Sequence, residues 1–424
     1  MKRVQYLGVS GLALLVTVGV GVAALNRTAE AQGAPAYRNV PLWPRPFVDD
    51  SWVIGSVTGV AVDAQNNVWV AHRGNESLEG NERGLIPVPG GTGQVSSSVC
   101  CMAAPFILQY NAAGNLIGSW GGASSGYQWP QATGGITVDA KGNVWVTAAG
   151  LETPPPSAAR GRGAAPAAAP AAGRGAPPAP PPPPVPDAHV LKFTGDGRYL
   201  MTIGTPGQKD GPDSQTTLNR PAAIAYDAAA NEVFIADSGN HRIVVFDADK
   251  GTYKRHWGAY GEKAMAEGGG AYDPNAATPS RQFRDVTCVE IARDGMVYVC
   301  DKSSNRIQVF DKSGKFVKEA VIAKNTGGGI LAGSFGVLNA AGSVWDVAFS
   351  NDQPQRYLFV ADGMNKKVRI LQRDTLAEVG AIGSGGRYPG QFLVVNSVAV
   401  DSQGNLYTGE THHGKRVQKF TPGK

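Results

Sequence analysis

The stretch from Ile224 to Gly258, IAYDAAANEVFIADSGNHRIVVFDADKGTYKRHWG, limits what this chain can fold into more than any other. IAYD, EVFIAD, RIVVFD and TYKRHW alternate apolar and polar residues with period two, as half-buried strands do. AAAN, SGNH and DADKG between them have tight-turn compositions, so the stretch reads as four antiparallel strands in a meander. One such sheet cannot bury both of its faces and needs copies of itself to pack against.

The copies are present. VAVDAQNNVWVAH from Val60, ITVDAKGNVWVTA from Ile136, VEIARDGMVYVCD from Val289, VAFSNDQPQRYLFVAD from Val347 and VAVDSQGNLYTGE from Val398 repeat its first half. FILQY, HVLKF, RIQVF, KVRIL and RVQKF follow them as third strands. About six repeats at unequal spacing suit radial blades, whose loops vary independently. The expected fold is all-β, a six-bladed β-propeller. ADSGNHRIVVF, CDKSSNRIQVF and ADGMNKKVRIL, with GSGGRYPGQF ahead of a strand, resemble the NHL repeat, and the resemblance covers nearly everything after the N-terminal segment. The last repeat stops after its third strand, at Phe420, and an unpaired outer edge is a liability. The run NVPLWP, Asn39 to Pro44, is expected to supply the missing fourth strand and close the ring. Pro41 and Pro44 suit an outermost strand, and Trp43 then packs rather than binding a ligand.

Length alone, 424 residues, would suit two or three domains, but the repeats merge residues 32–424 into one propeller. Residues 1–31 read as a signal peptide: a basic start at Lys2 and Arg3, an apolar run from Tyr6 to Leu25, then Ala29-Glu30-Ala31 as a small-x-small cleavage site. An uncleaved membrane anchor is the alternative, because the run is long enough to span a bilayer. Either way the propeller is expected to be exported, periplasmic or secreted, and monomeric. The insertion at about 151–187 is nearly all Pro, Ala and Gly and reads as a disordered arm. A net charge of +5 with 17% charged residues is too weak and scattered to argue for nucleic acid.

With strands lettered A to D outward from the axis, A–B and C–D turns share one face, and B–C and D–A connections share the other. The first set is short throughout: DAQNN, DAKGN, ARDG, DSQGN, NAAGN, TGDGR and DKSGK. The long excursions, about 74–104, 150–188, 205–220, 260–283 and 325–342, all belong to the second. Variable loops on a rigid scaffold are where binding concentrates, so the long-loop face is the expected site for a small anionic ligand or a protein or peptide partner.

Cys288 in strand A falls opposite Cys300 in strand B if Arg293-Asp294-Gly295 is their loop, which predicts a disulfide in an oxidising compartment. Cys100 and Cys101 have no assigned partners. No zinc-type CxxC occurs and the six His are scattered, so no metal site and no cofactor are expected. Asp237 precedes Arg242, Asp301 precedes Arg306 and Asp362 precedes Lys367, each by five residues. Recurrence at equal spacing argues for a structural carboxylate with a cation beside it. His72-Arg73-Gly74 breaks this pattern at the end of a strand B. An Arg there can hold a carboxylate through two bonds.

That phrase also resembles the secreted peptidyl-amidoglycolate lyase propellers, in which the Arg of HRG matches Arg73 and the order VTGVAVDAQNNVWVAHRG matches well. Those enzymes cleave peptidyl-α-hydroxyglycine to an amidated peptide and glyoxylate, using zinc. Their three zinc-binding His correspond to Gly134, Thr287 and Asn396, and the calcium-linked Asp corresponds to Ser397. Their catalytic Tyr falls in a loop that here holds Ser238, Gly239, Asn240 and His241. Only the Arg carries over. Calcium-dependent lactonase propellers are a second comparison; their axial ring corresponds to Thr58, Gly134, Ala222, Thr287, Trp345 and Asn396, with Asp346 nearby, a poor calcium cage. The expectation is therefore a binding scaffold whose axial mouth is lined by Thr58, Thr287, Trp345 and Asn396. His72 and Arg73 stand beside that ring, with Arg73 as anchor. A lyase-like enzyme with a degenerate metal site, taking zinc or calcium, is the alternative. A structural bridge from Arg73 to Glu76 or Glu79 is the competing role for that residue.

Overall fold

Period-two alternation, interrupted by Asp-, Asn- and Gly-rich turns, produces six four-stranded antiparallel sheets, the blades of a β-propeller. The computed structural model describes residues 33–87, 94–96, 100–150, 187–327, 330–333, 336–339 and 342–423. The segment expected to be a signal peptide, 1–31, and residues 151–186 of the insertion lie outside the described residues. The chain divides into Met1–Pro35 and Ala36–Lys424. Only Gly33, Ala34 and Pro35 of the first unit are described, and the blades belong to the second.

The A strands are Val57–Val62, Thr133–Val138, Pro221–Asp227, Val286–Ile291, Asp346–Phe349 and Val395–Val400. The B strands are Val68–His72, Val144–Ala148, Glu232–Asp237, Val297–Asp301, Tyr357–Asp362 and Leu406–Glu410. Apart from Tyr357, every B-strand residue is buried, because a neighbouring blade covers each face. The outermost strands, such as Tyr199–Gly204 and Tyr253–Trp257, alternate towards solvent. The core consequently lies between blades. Phe234, Trp257, Phe283, Val289 and Phe310 fill the space between blades three and four.

Ring closure uses both chain ends. Tyr37–Asn39 pairs with Arg416–Pro422, setting Tyr37 opposite Pro422 and Asn39 opposite Phe420. The strand begins earlier than NVPLWP predicts, and only Asn39 of that run lies in it. The Val40 N–H still reaches Lys419 O at 2.8 Å, but Pro41 has no N–H to continue the ladder, and the chain turns away there. Trp43, 6% exposed, packs 4.8 Å from the Tyr407 ring and donates Nε1–H to Ala112 O. Cys288 and Cys300 face each other in the ladder and are joined by a disulfide; Cys100 and Cys101 are joined to one another.

The short-turn face is braced by one device. Asp63 accepts the N–H groups of Gln65 and Asn67 on Oδ1 and the Trp69 indole N–H on Oδ2. Asp139 and Asp401 repeat this with Trp145 and with the Tyr407 hydroxyl. These self-capped Asx turns need no extra chain. The other face carries every long connection. Among the described residues three small two-stranded sheets lie within those connections, one of them Trp52–Val53 paired in parallel with Met102–Ala103. Among the described residues, helix is confined to 3-10 turns such as Gly74–Ser77, and no helix is long and apolar enough to cross a membrane.

Candidate functional site

At the long-loop end of strand A the ladder slips by a residue in most blades, between Val57 and Gly59, Pro221 and Ala223, Val286 and Cys288, and Val395 and Ser397, and more widely between Thr133 and Ile136. These bulges release Thr58, Ala222, Thr287, Asn396 and Gly134 from pairing and re-aim their side chains. Trp345 holds the equivalent place in blade five, its N–H on Ala361 O. In five of the six blades, then, the residue expected from sequence at the axis sits at a strand-A bulge.

Polar atoms here tie blade to blade. Thr58 Oγ1 donates to Gly134 O at 2.8 Å, Thr147 Oγ1 to Ala222 O at 3.1 Å, and Thr287 Oγ1 to Val344 O at 3.4 Å. Asn396 Nδ2 donates to Thr58 O at 3.5 Å, while its Oδ1 is buried with no protein donor. Trp345 is buried, donates Nε1–H to Gly342 O and is covered by the Lys302 ammonium, 4.5 Å from its ring centre.

Strand B explains His72. It stands where Asp237, Asp301, Asp362 and Glu410 stand in other blades. Asp237 accepts the Asn219 N–H, Asp301 those of Arg284 and Asp285, and Glu410 that of Leu393, each tying the preceding D–A connection to its blade. His72 does the same through Nδ1, which accepts the N–H groups of Gly55 and Gly74, while Nε2 donates to Pro105 O at 2.8 Å. Its place as a mouth residue is therefore corrected: both nitrogens are engaged and the ring is fully buried. Burial lowers its pKa to about 4, against the smaller opposing pull of the Pro105 bond. Blade two has Ala148 at this place, and Asp187 substitutes from the start of strand C, accepting the N–H groups of Gln131, Ala132 and Gly150.

The paired cations hold as predicted for Asp237 with Arg242 (2.8 Å) and Asp301 with Arg306 (3.0 Å). For Asp362 the partner is Arg369 at 2.7 Å and not Lys367. Lys367 lies directly opposite Asp362 in the ladder, and Arg369, two residues along the same face, reaches back to it.

One step beyond these groups stand Arg73, Ala149, Ser238, Lys302, Gly363 and Thr411, with the side chains of Ser238, Lys302 and Thr411 buried. Lys302 is matched by Asp285 at 2.9 Å, which also accepts from Ser238 and Ser303. Burial works against the Asp285 charge, but Lys302, with Arg220 and Ser238, still holds its carboxyl below the ordinary range. Arg73 lies close enough to Glu76 to act on its charge. Burial first, and then Asp187, push the Glu76 carboxyl up to about 7, with Arg73 pulling the other way. Glu79 and Glu82 turn instead to His413 and Lys415 of blade six. Sequence reasoning missed Lys302 and Asp285, although Lys302 follows Asp301 as Arg73 follows His72.

The zinc positions implied by the lyase resemblance do not suit that metal. A Cβ at Gly134 would meet Thr147 Oγ1 at 2.4 Å and Ala149 Cβ at 2.9 Å, so even a methyl group has no room. Thr287 and Asn396 are neutral and bonded between blades, and zinc is held by imidazole, thiolate or carboxylate. Ser397, at the calcium-linked place, accepts the Val60 N–H on its hydroxyl.

A family model described as the NHL repeat matches residues 218–246, strands A to C of blade three. Over 375 residues, 88% of this chain, there is 23% identity to peptidyl-glycine alpha-amidating monooxygenase B of Xenopus laevis. Its A form is 24% identical over 381 residues. The chain spans about a third of the length of these relatives, 34% and 32%. NHL repeat-containing protein 3 of Homo sapiens is 25% identical over 248 residues, covering 55% of this chain and 58% of that one. Among solved structures, a streptogramin B lyase superposes with a TM-score of 0.44 at 10% identity, over 92% of this chain and 97% of that one. A catalytically inactive virginiamycin B lyase from Staphylococcus aureus, with quinupristin, gives 0.41 at 12% identity, over 91% and 87%.

Proposed function

We propose that this six-bladed NHL-repeat β-propeller is an exported binding protein that holds a carboxylate-bearing ligand, a small anion or a peptide, at the mouth of its long-loop face, with Arg73 as anchor. The observation that carries this reading is the arrangement of Arg73, Glu76 and Asp187. Three backbone N–H groups engage Asp187, and Glu76 has its charge suppressed, its carboxyl lying near 7. Arg73 acts on the charge of Glu76, and near neutral pH that acid is only partly ionised, so a fully ionised ligand carboxylate would be the stronger partner for the guanidinium. A guanidinium on a rigid strand end suits carboxylate recognition, and the tied strand-A bulges make a preformed floor. The reading calls for no metal or cofactor.

A screen of small carboxylates against the full chain tests it. Arg73→Ala is expected to lose about 1.5–3 kcal/mol of binding, the worth of a hydrogen bond to a charged group, with little change in melting temperature. Glu76→Gln is expected to bind at least as tightly as the parent. Ligands that bind Arg73→Ala as well as the parent, or a lowered melting temperature with binding intact, would overturn the assignment. The similarity to the amidating monooxygenases over 88% of the chain favours a second reading, a lyase-like enzyme. Stoichiometric zinc after purification in zinc and calcium would replace the first reading with that one.

A further inference from the structure

Three residues beyond Thr58, Gly134, Ala222, Thr287, Trp345 and Asn396, strand A places a second set of equivalent residues: Ala61, Thr137, Ala225, Glu290, Ala348 and Ala399. Blade four alone contributes an acid where the others carry a methyl or a hydroxyl. Ala61, Thr137, Glu290, Ala348 and Ala399 line a cavity of about 240 Å³ that also touches the turn residues Arg293 and Asn351, so it opens on the short-turn face. That space accommodates several waters or one small molecule.

Among the described residues Glu290 accepts no hydrogen bond and has no ion-pair partner. Arg293, the cation of its own turn, is directed elsewhere: its guanidinium donates to the carbonyls of Asn351 and Asp352 and to the Asn351 side chain. Asp346, the acid whose charge Glu290 feels, is engaged as a latch between blades, accepting the N–H groups of Val347 and Val398 at 2.9 Å. Glu290 is half-buried, and its carboxylate stands in the cavity beside Thr137, Ser350, Asn351 and the alanines with no cation against it, so a cation entering the cavity would pair an otherwise unmatched charge.

We propose that this cavity is a second binding site, entered from the short-turn face, for a small organic cation: a primary ammonium on a short apolar chain, its charge against Glu290 and its carbons against the alanines. The donor chemistry separates this from a metal. Calcium takes six to eight oxygens, and this set offers one carboxylate and the Thr137 hydroxyl. The charged group acting on Glu290 is Asp346 from blade five; Arg293 of its own turn lines the cavity with its guanidinium held by Asn351 and Asp352, while blades one, two, three and six present Ala61, Thr137, Ala225 and Ala399. Burial, and next Asp346, hold the Glu290 carboxyl well above its ordinary range. Its charged form, and with it ammonium binding, therefore strengthens as pH rises.

Calorimetric titration of the full chain with ethylammonium, at matched ionic strength and with sodium and calcium chloride as controls, tests the site. Saturable binding is expected, tighter at about pH 8 than at about pH 5. Glu290→Gln should weaken it roughly tenfold or more. Ala348→Leu, which fills the cavity and leaves the carboxylate in place, should abolish it. Melting curves confirm that each variant folds, and the parent's own pH-dependent titration decides the matter if Glu290→Gln does not. The proposal is overturned by absent or pH-independent ethylammonium binding, by unchanged affinity in a folded Glu290→Gln, or by calcium binding in its place.

Discussion

His72 shows how a residue that looks like a ligand becomes a structural part. Its neutral ring is required, because Nδ1 accepts two backbone N–H groups and must stay unprotonated. The folded-state pKa, about 4, lies below the ordinary 6.5, so the unfolded chain binds the proton more readily. The stability this group supports is complete above 6.5 and is lost as pH falls towards 4, in all about 3 kcal/mol. His72→Asn keeps an acceptor near Nδ1 and removes the titration. Urea unfolding across this range should show the parent losing that amount relative to the variant, and parallel curves would refute the assignment. The position was legible, since His72 occupies the place that Asp237, Asp301 and Asp362 fill elsewhere, but the role was not: the change of residue type made His72 read as an exception and a ligand. The sequence also concealed side-chain reach. Asp362 takes Arg369 over the equally spaced Lys367, a choice made by strand geometry and not by counting residues. The Arg73, Glu76 and Asp187 group was hidden for a similar reason, since Asp187 arrives from beyond a long insertion.

At the scale of elements, the propeller was readable because every blade repeats the same alternation, and the short-turn face because DAQNN, DAKGN and DSQGN each encode an Asx turn. The closing strand was readable only in outline. An incomplete last repeat demands a partner, yet three residues, Tyr37 to Asn39, carry too little pattern to fix the register. Closure is nonetheless a packing event as well as a ladder, because Trp43 sits in one cluster with Val57 and Tyr110 of blade one and Tyr407 of blade six. A chain beginning at Asp49 loses both the strand and the indole. It should be less stable by about 3–5 kcal/mol, the usual cost of removing a buried aromatic, with the exposed edge promoting association. Denaturant unfolding that matches the parent would show that the N-terminal strand does not close the ring.

For the whole molecule, the asymmetry between faces is a division of labour. One face is held by self-capped turns, while the other is held by strand-end groups that reach into long connections, as when Arg242 donates to Pro212 O, Ser214 O and Thr217 O. Long connections so anchored can lengthen without loosening the blades, and the insertion between Gly150 and Asp187 is the extreme case. The Gly150 N–H donates to Asp187 Oδ2 at 3.1 Å, and the same carboxylate holds Gln131 and Ala132 ahead of strand A. The chain therefore leaves blade two and re-enters it at adjacent points, and that junction is fixed by Asp187 whatever lies between. Replacing residues 151–186 with three glycines should leave every blade intact. Loop closure costs about 0.6 kcal/mol per doubling of length, so the shortening should raise stability by up to ~2 kcal/mol. Thermal and denaturant unfolding check this, with Asp187→Ala as the contrast, expected to destabilise by about 1–3 kcal/mol because it strands buried N–H groups. A shortened chain that unfolds more easily than the parent would mean that the insertion braces the propeller and is not merely borne by it.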